Sequence, residues 1–163
     1  MKRVIVIGCP GSGKSTFAAA LHNKTEIPLY HLDMMYWNAD RTTVEREVFL
    51  ARLGEVLERD EWIIDGNFSS TMAMRMDAAD TVFFLDYETE LCLEGVRARR
   101  GKARADIPWV ETEEDEEFMA YIRGFADVER PKILNLLKNY PEKRIVIFTS
   151  REDASTFLAK EGL

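Results

Sequence analysis

The first sixteen residues constrain this chain more than any other stretch. Met1-Lys2-Arg3 leads into the apolar run Val4-Ile5-Val6-Ile7, and then into Gly8-Cys9-Pro10-Gly11-Ser12-Gly13-Lys14-Ser15-Thr16. The second part fits the pattern G-x-x-x-x-G-K-[ST], with Gly8, Gly13, Lys14 and Ser15 in the fixed places. A β-branched run before the pattern reads as a buried strand, and the alanine-rich Phe17 to Leu21 after it reads as a helix. A strand, a glycine-rich turn and a helix in this order can cradle phosphate. The glycines let successive backbone N–H groups point into one concavity. The helix adds its N-terminal dipole and free N–H groups.

The pattern assigns its residues. Gly8, Pro10, Gly11, Ser12, Gly13 and Thr16 shape the loop around the phosphates. Lys14 reaches the β- and γ-phosphates, and Ser15 holds Mg²⁺ through its hydroxyl.

At 163 residues the chain reads as one domain spanning 1–163. Its net charge of −7 argues against direct nucleic-acid binding, since phosphate backbones would be repelled. Cys9 and Cys92 are its two cysteines, and they form no metal-ligand spacing. One lies in the phosphate loop, so this usage fits a reducing cytoplasm rather than a structural disulfide. Cys9 reads as a loop filler. No apolar run approaches the ~18 residues of a membrane span.

The rest of the chain alternates strands and helices. Strands are expected at residues 3–7, 29–32, 61–64, 81–85 and 144–148. Helices are expected at 14–22, 42–59, 70–76, 88–100, 112–139 and from 150 onward. Thr42 with Glu45 forms a capping-box pattern at one helix start, Thr112 with Asp115 marks another, and Ser150 with Asp153 a third. Phe118, Ile122, Phe125 and Val128 share a face of the long helix, which Pro131 is expected to interrupt or kink. Five strands alternating with helices give a parallel sheet covered on both faces: an α/β fold in three αβα layers. Ligands in such sheets sit beyond the C-terminal strand ends. Asp33, Asp65 and Asp86 lie at three of those ends.

Asp65, delivered by Trp62-Ile63-Ile64, can hold Mg²⁺ through water or simply shape the Asp65-Gly66-Asn67 turn. Gly66 and Asn67 could approach an acceptor closely. Asp86 reads as a cap for the next helix. Asp33 can hydrogen-bond an acceptor or take a proton from its hydroxyl. His31 reads as a packed strand residue. Tyr36 and Trp37 have two readings, stacking on a planar substrate or packing beneath a lid.

Arg97, Arg99, Arg100, Lys102 and Arg104 place five bases within eight residues. Phosphoryl transfer needs cations that close over the γ-phosphate, and a mobile loop carrying them also excludes water. Arg97, Arg100 and Arg104 are the residues expected in that role, with Asp106 as a pairing partner. Arg75 and Arg41 are further candidates for an acceptor's anionic group. Residues 111–117 hold six acids and read as the solvated start of the long helix. Arg151, after the last strand, could lie along an adenine ring.

With these residues in place, the chain resembles the adenylate kinase/shikimate kinase branch of P-loop kinases. Within that branch it is similar to bacterial DNA topology modulation (FlaR-like) proteins. The resemblance rests on the Ile7–Thr16 loop, on His31-Leu32-Asp33-x-x-Tyr36-Trp37, on Trp62-Ile63-Ile64-Asp65-Gly66-Asn67, and on the basic stretch 97–104. It implies a P-loop NTPase fold with strand order 2-3-1-4-5, ATP and Mg²⁺ binding, a short arginine-bearing lid at about 101–112, and an acceptor site formed from about 33–60. The function expected is transfer of the γ-phosphate of ATP·Mg to a small molecule, either nucleoside- or nucleotide-like or another hydroxyl compound, by a monomer or homodimer. The alternative is a nucleotide-binding regulator with little kinase activity.

Overall fold

Three strands are apolar enough to be buried on both faces, and they form the middle of the sheet. In β1 (Arg3–Gly8) Val4 to Ile7 are at most 1% exposed, and β3 (Trp62–Asp65) and β4 (Thr81–Leu85) are buried throughout. Such continuous runs are what parallel strands under helices require. The computed structural model describes residues 1–160.

The helices are α1 (Lys14–Thr25), α2 (Leu32–Tyr36), α3 (Arg46–Leu57), α4 (Ser69–Ala78), α5 (Thr89–Arg99), α6 (Glu116–Leu137) and α7 (Arg151–Ala159). The edge strands are β2 (Leu29–His31) and β5 (Arg144–Phe148). All pairings are parallel, and the order is β2-β3-β1-β4-β5. Register sets the site: Val6 faces Asp65 across β1 and β3, and Asp65 faces His31 across β3 and β2. β1 runs two residues further, so Gly8 and its loop stand just above Asp65.

Two aromatic clusters flank the sheet. Phe17, Phe83, Phe148 and Phe157 pack with ring centroids 5.1–6.5 Å apart and tie α1 and α7 to β4 and β5. Tyr36, Trp37, Phe49 and Phe68 form the other, with centroids 5.0–5.4 Å apart, and Trp109 of the lid joins it edge-on to Trp37. Tyr36 and Trp37 thus take the packing reading.

Several boundaries differ from the sequence expectation. β2 stops at His31 and the chain turns at once into α2, so Asp33 sits in the first turn of a short helix. The Thr42–Glu45 capping box does not form. Asp40 captures the Thr42 amide and hydroxyl instead, and Trp37 bridges Thr43 in a tight hairpin. The helix therefore begins at Arg46 with Glu45 as its cap. Asp115, not Thr112, caps α6 by accepting from the Phe118 amide at 3.1 Å. α6 continues through Pro131, losing only the one N–H that proline lacks. Val128 is 53% exposed while Met119, Ile122 and Phe125 are buried, so the apolar face is rotated from the one expected. Asp86 does not cap α5. It makes a two-pronged ion pair with Arg130, at 2.7 and 2.8 Å, that pins α6 to the end of β4. Ser150 caps α7 as its sequence implies, accepting from the Asp153 amide at 3.1 Å.

Candidate active site

The phosphate loop is held from below by backbone packing. Gly11 has φ +83°, and a Cβ there would lie 2.0 Å from the carbonyl oxygen of Cys92. On the facing side, a Cβ on Gly95 would lie 2.0 Å from the Gly11 oxygen. Loop and α5 therefore touch main chain to main chain, which only two glycines allow. Gly13, at φ +90°, caps α1 without a side-chain bond. The first-turn N–H groups of α1 are left facing the cavity.

The loop is also held from the side. Asn67 accepts from the Gly8 amide at 3.1 Å and donates to the Gly8 oxygen at 2.7 Å. The turn that carries Asn67 is itself braced by Arg75, which is fully buried. Arg75 donates to the oxygens of Gly66 (2.9 Å), Phe68 (3.2 Å) and Asn67, and to the Thr71 hydroxyl (3.2 Å). Burial pulls its guanidinium down to about 10, against the opposing charge of Asp65. Phe68 completes this turn at φ +35°, a left-handed conformation that is costly for an aromatic residue.

A cavity of about 700 Å³ opens above the loop. Pro10, Gly11, Ser12, Gly13, Lys14, Ser15 and Thr16 form its floor. The Ser12 hydroxyl is buried and has no hydrogen-bond partner among the described residues. Lys14 donates through Nζ to the oxygens of Gly8 (3.0 Å) and Cys9 (3.1 Å). Burial draws its ammonium below the ordinary lysine value, opposed by the charges of Asp65 and Asp33. The cradle, the spare donors and the depth suit a nucleoside triphosphate. Ser15 and Asp65 would hold its magnesium. Two protein oxygens are enough for an ion that keeps most of its water and phosphate ligands. Among the described residues no cluster of three metal-ligating side chains competes with that site.

Asp33, Asp65, Gly66 and Phe68 also line the cavity, with Asp65 just below the phosphate loop. Burial pushes the Asp33 carboxyl up to about 6; Lys14 and Arg104 oppose the rise, while Asp65 and Asp106 add to it. Asp65 is 5% exposed and takes a hydrogen bond with His31 Nδ1 at 2.8 Å. Burial alone would lower His31, but the bond to Asp65 and the charges of Asp65, Asp106 and Asp33 carry it above its ordinary value. His31 is thus more than strand packing: it orients the carboxylate proposed for the metal. No sequence signal points to it; the pairing follows from the register of β2 against β3.

The end of α5 and the loop after it form another side. Arg99, Lys102, Arg104 and Asp106 line the cavity, whereas Arg97 and Arg100 lie outside it and both pair with Glu114. Arg104 lies 3.1 Å from Asp106 and 3.2 Å from Glu111, and Arg99 lies 3.0 Å from Glu111. The acidic stretch is therefore not all solvated, because Glu111 and Glu114 clamp the lid arginines. The Arg104 donors facing these carboxylates are buried and misaligned for hydrogen bonding. Arg151 also lines the cavity and donates to the Leu91 oxygen at 3.4 Å. Arg41 lies over the Trp109 ring at 5.8 Å, and neither it nor Arg75 faces the cavity.

Cys9 and Cys92 are both free and lie against each other beneath the loop. The hydrogen bond to Cys92, with burial, pushes the Cys9 thiol far above its ordinary value. An inert Cys9 fits the role of filler. Sequence reasoning missed Gly95 and Asn67 as a brace; it named Arg99 and Lys102 in the basic stretch but singled out Arg97 and Arg100 instead. A lone glycine within the helical pattern 88–100 was the available signal for Gly95.

No family model matches the chain, and no curated protein matches it. Among solved structures it is similar to shikimate kinase from Bacteroides thetaiotaomicron, known at 1.7 Å resolution, with a TM-score of 0.64. That likeness extends over 96% of this chain and 94% of the other at 21% identity. The two share a three-layer α/β fold, here with five parallel strands in the order 2-3-1-4-5.

Proposed function

We propose that this chain is an ATP·Mg-dependent phosphotransferase acting on a hydroxyl-bearing small molecule. One observation carries the reading. A single cavity joins the glycine-and-lysine floor to a half-buried carboxylate, Asp33, whose pKa near 6 suits a base at neutral pH. Lys14 and the loop amides hold the donor phosphates, and Arg151 lies along the base. Magnesium, held by Ser15 and Asp65, supplies neutralising charge at the phosphate oxygens. Asp33 takes the proton of the acceptor hydroxyl as its oxygen bonds the γ-phosphorus and the bridging bond to ADP breaks. Arg104, released from Asp106 and Glu111, turns toward the transferring group, with Arg99 beside it. Arg97 and Arg100 join by exchanging Glu114 for phosphate. Catalysis of this kind is mostly positioning and charge stabilisation.

The motifs around Asp33 and Asp65 support a place among the DNA topology modulation (FlaR-like) proteins, and the free thiols fit the cytoplasm. Coupled ADP release over a panel of nucleosides, nucleotides and small alcohols tests the reading. Acceptor-stimulated turnover should fall about 10²- to 10⁴-fold in Asp33→Asn while ATP affinity holds. Tight ATP binding with no stimulation by any acceptor would sink it and leave a nucleotide-binding regulator in its place.

A further inference from the structure

Resting on that phosphotransferase reading, the charges around the cavity narrow the acceptor further. Between Pro28 and Asp80, the part that builds the acceptor end, the chain carries five arginines and no lysine. Among the described residues none of the five lines the cavity. Arg75 is buried against the carbonyls of Gly66, Asn67 and Phe68. Arg52 donates to the Met35 oxygen at 2.9 Å. Arg41 and Arg59 lie over the rings of Trp109 and Tyr30. Arg46 begins α3. The cations that do face the cavity, Lys14, Arg99, Lys102, Arg104 and Arg151, come from the phosphate loop, α5 with the lid, and α7. On the proposed function they serve the triphosphate.

What faces the acceptor is of the opposite sign. Asp33, Asp65 and Asp106 all line the cavity. Asp65 is engaged by His31, and the amide of Asn67 is spent on Gly8. Asp33 is left as a hydrogen-bond acceptor, and Asp106 becomes one when Arg104, 3.1 Å away, turns to the phosphates; Gly66 and Phe68 also line the cavity. Carboxylates accept from hydroxyl and ammonium groups and repel phosphate and carboxylate.

We infer that the acceptor is an uncharged or ammonium-bearing hydroxyl compound, recognised through Asp33 and Asp106, and that phosphorylated and carboxylated compounds are excluded. Nucleoside monophosphates and hydroxy acids therefore fall outside its substrate class, whereas nucleosides, sugars and amino alcohols fall within it.

Matched pairs provide the test. ATP·Mg binding is first measured by titration calorimetry. ADP release is then followed with nucleosides against their 5′-monophosphates, hexoses against the matching aldonic acids, and amino alcohols against the matching amino acids. The uncharged or ammonium-bearing member should lead by at least about 100-fold in kcat/KM. Asp106→Asn, which also unpairs Arg104, should shrink that ratio by about tenfold. A ratio taken within one preparation is insensitive to how much of the variant is folded. An anionic member turned over as well as its partner, or a ratio unmoved in Asp106→Asn, overturns the inference and leaves the phosphotransferase intact. ATP binding with no response to any member overturns the phosphotransferase reading itself, and the inference with it.

Discussion

The parts of the cavity proposed for the donor and for the acceptor are held in different ways. At the donor end the main chain is in contact with itself. Gly11 meets Gly95, Gly13 opens α1, and the strands below are closed to solvent. At the acceptor end and in the lid, side chains hold side chains. His31 holds Asp65, Glu111 holds Arg99 and Arg104, and Trp109 rests on Trp37. The first arrangement has no slack, since a single methyl group would displace backbone. The second can exchange partners, because a phosphate oxygen can replace a carboxylate oxygen on an arginine. On the proposed function both would serve, a rigid floor for the donor and a loop that rearranges around the reaction.

Substitutions at the two ends should differ accordingly. Gly95→Ala should have the largest effect, about 3 kcal/mol or more in urea unfolding, because its Cβ would lie 2.0 Å from the Gly11 oxygen. ATP affinity should fall with it. A silent Gly95→Ala would mean that the floor is as adaptable as the lid.

Asp33 gives an intermediate effect. Its folded value of about 6 lies above the ordinary 3.8, so burial favours the protonated form. The stability this confers is full below about pH 4 and lost as pH rises through 6. Relative to Asp33→Asn, the native chain should therefore weaken by about 2 kcal/mol between pH 4.5 and 7.5, measured by denaturant unfolding at both. Turnover should run the other way. Only the ionised carboxylate accepts a proton, so the rate should fall about tenfold per pH unit below 6.

Glu111→Gln should have the smallest effect, at most about 1 kcal/mol of stability, because the pairs it removes are partly solvated. It should nonetheless tighten ATP binding several-fold by releasing Arg99 and Arg104, as titration calorimetry would show. Weaker ATP binding in this variant would mean that the ion pairs hold the lid in its working position.

How much of this was legible follows the same division. The floor could be read from sequence because glycine spacing and β-branched runs are local signals with few alternative meanings. β4 and β5 were expected with the bounds the structure gives them. The start of α3 was not, because Asp40 competes for Thr42 and a three-dimensional hairpin decides the winner. The lid was legible as a basic stretch followed by an acidic one. Which arginine faces inward was not, since Arg97, Arg99 and Arg100 differ only by rotation around α5 and its end. Arg75 was read as a candidate anion binder, yet the turn at Gly66 to Phe68 consumes it.

By itself the sequence determined a strand, a glycine loop and a helix around Lys14, five alternating strands, and acids at the strand ends. These follow from backbone sterics and burial within short stretches of chain. Only the tertiary structure decided that Gly95 seats the loop, that His31 aims Asp65, and that none of the arginines between Pro28 and Asp80 lines the cavity. Those outcomes depend on contacts between residues far apart in sequence, where each polar group takes the nearest partner the folded chain provides.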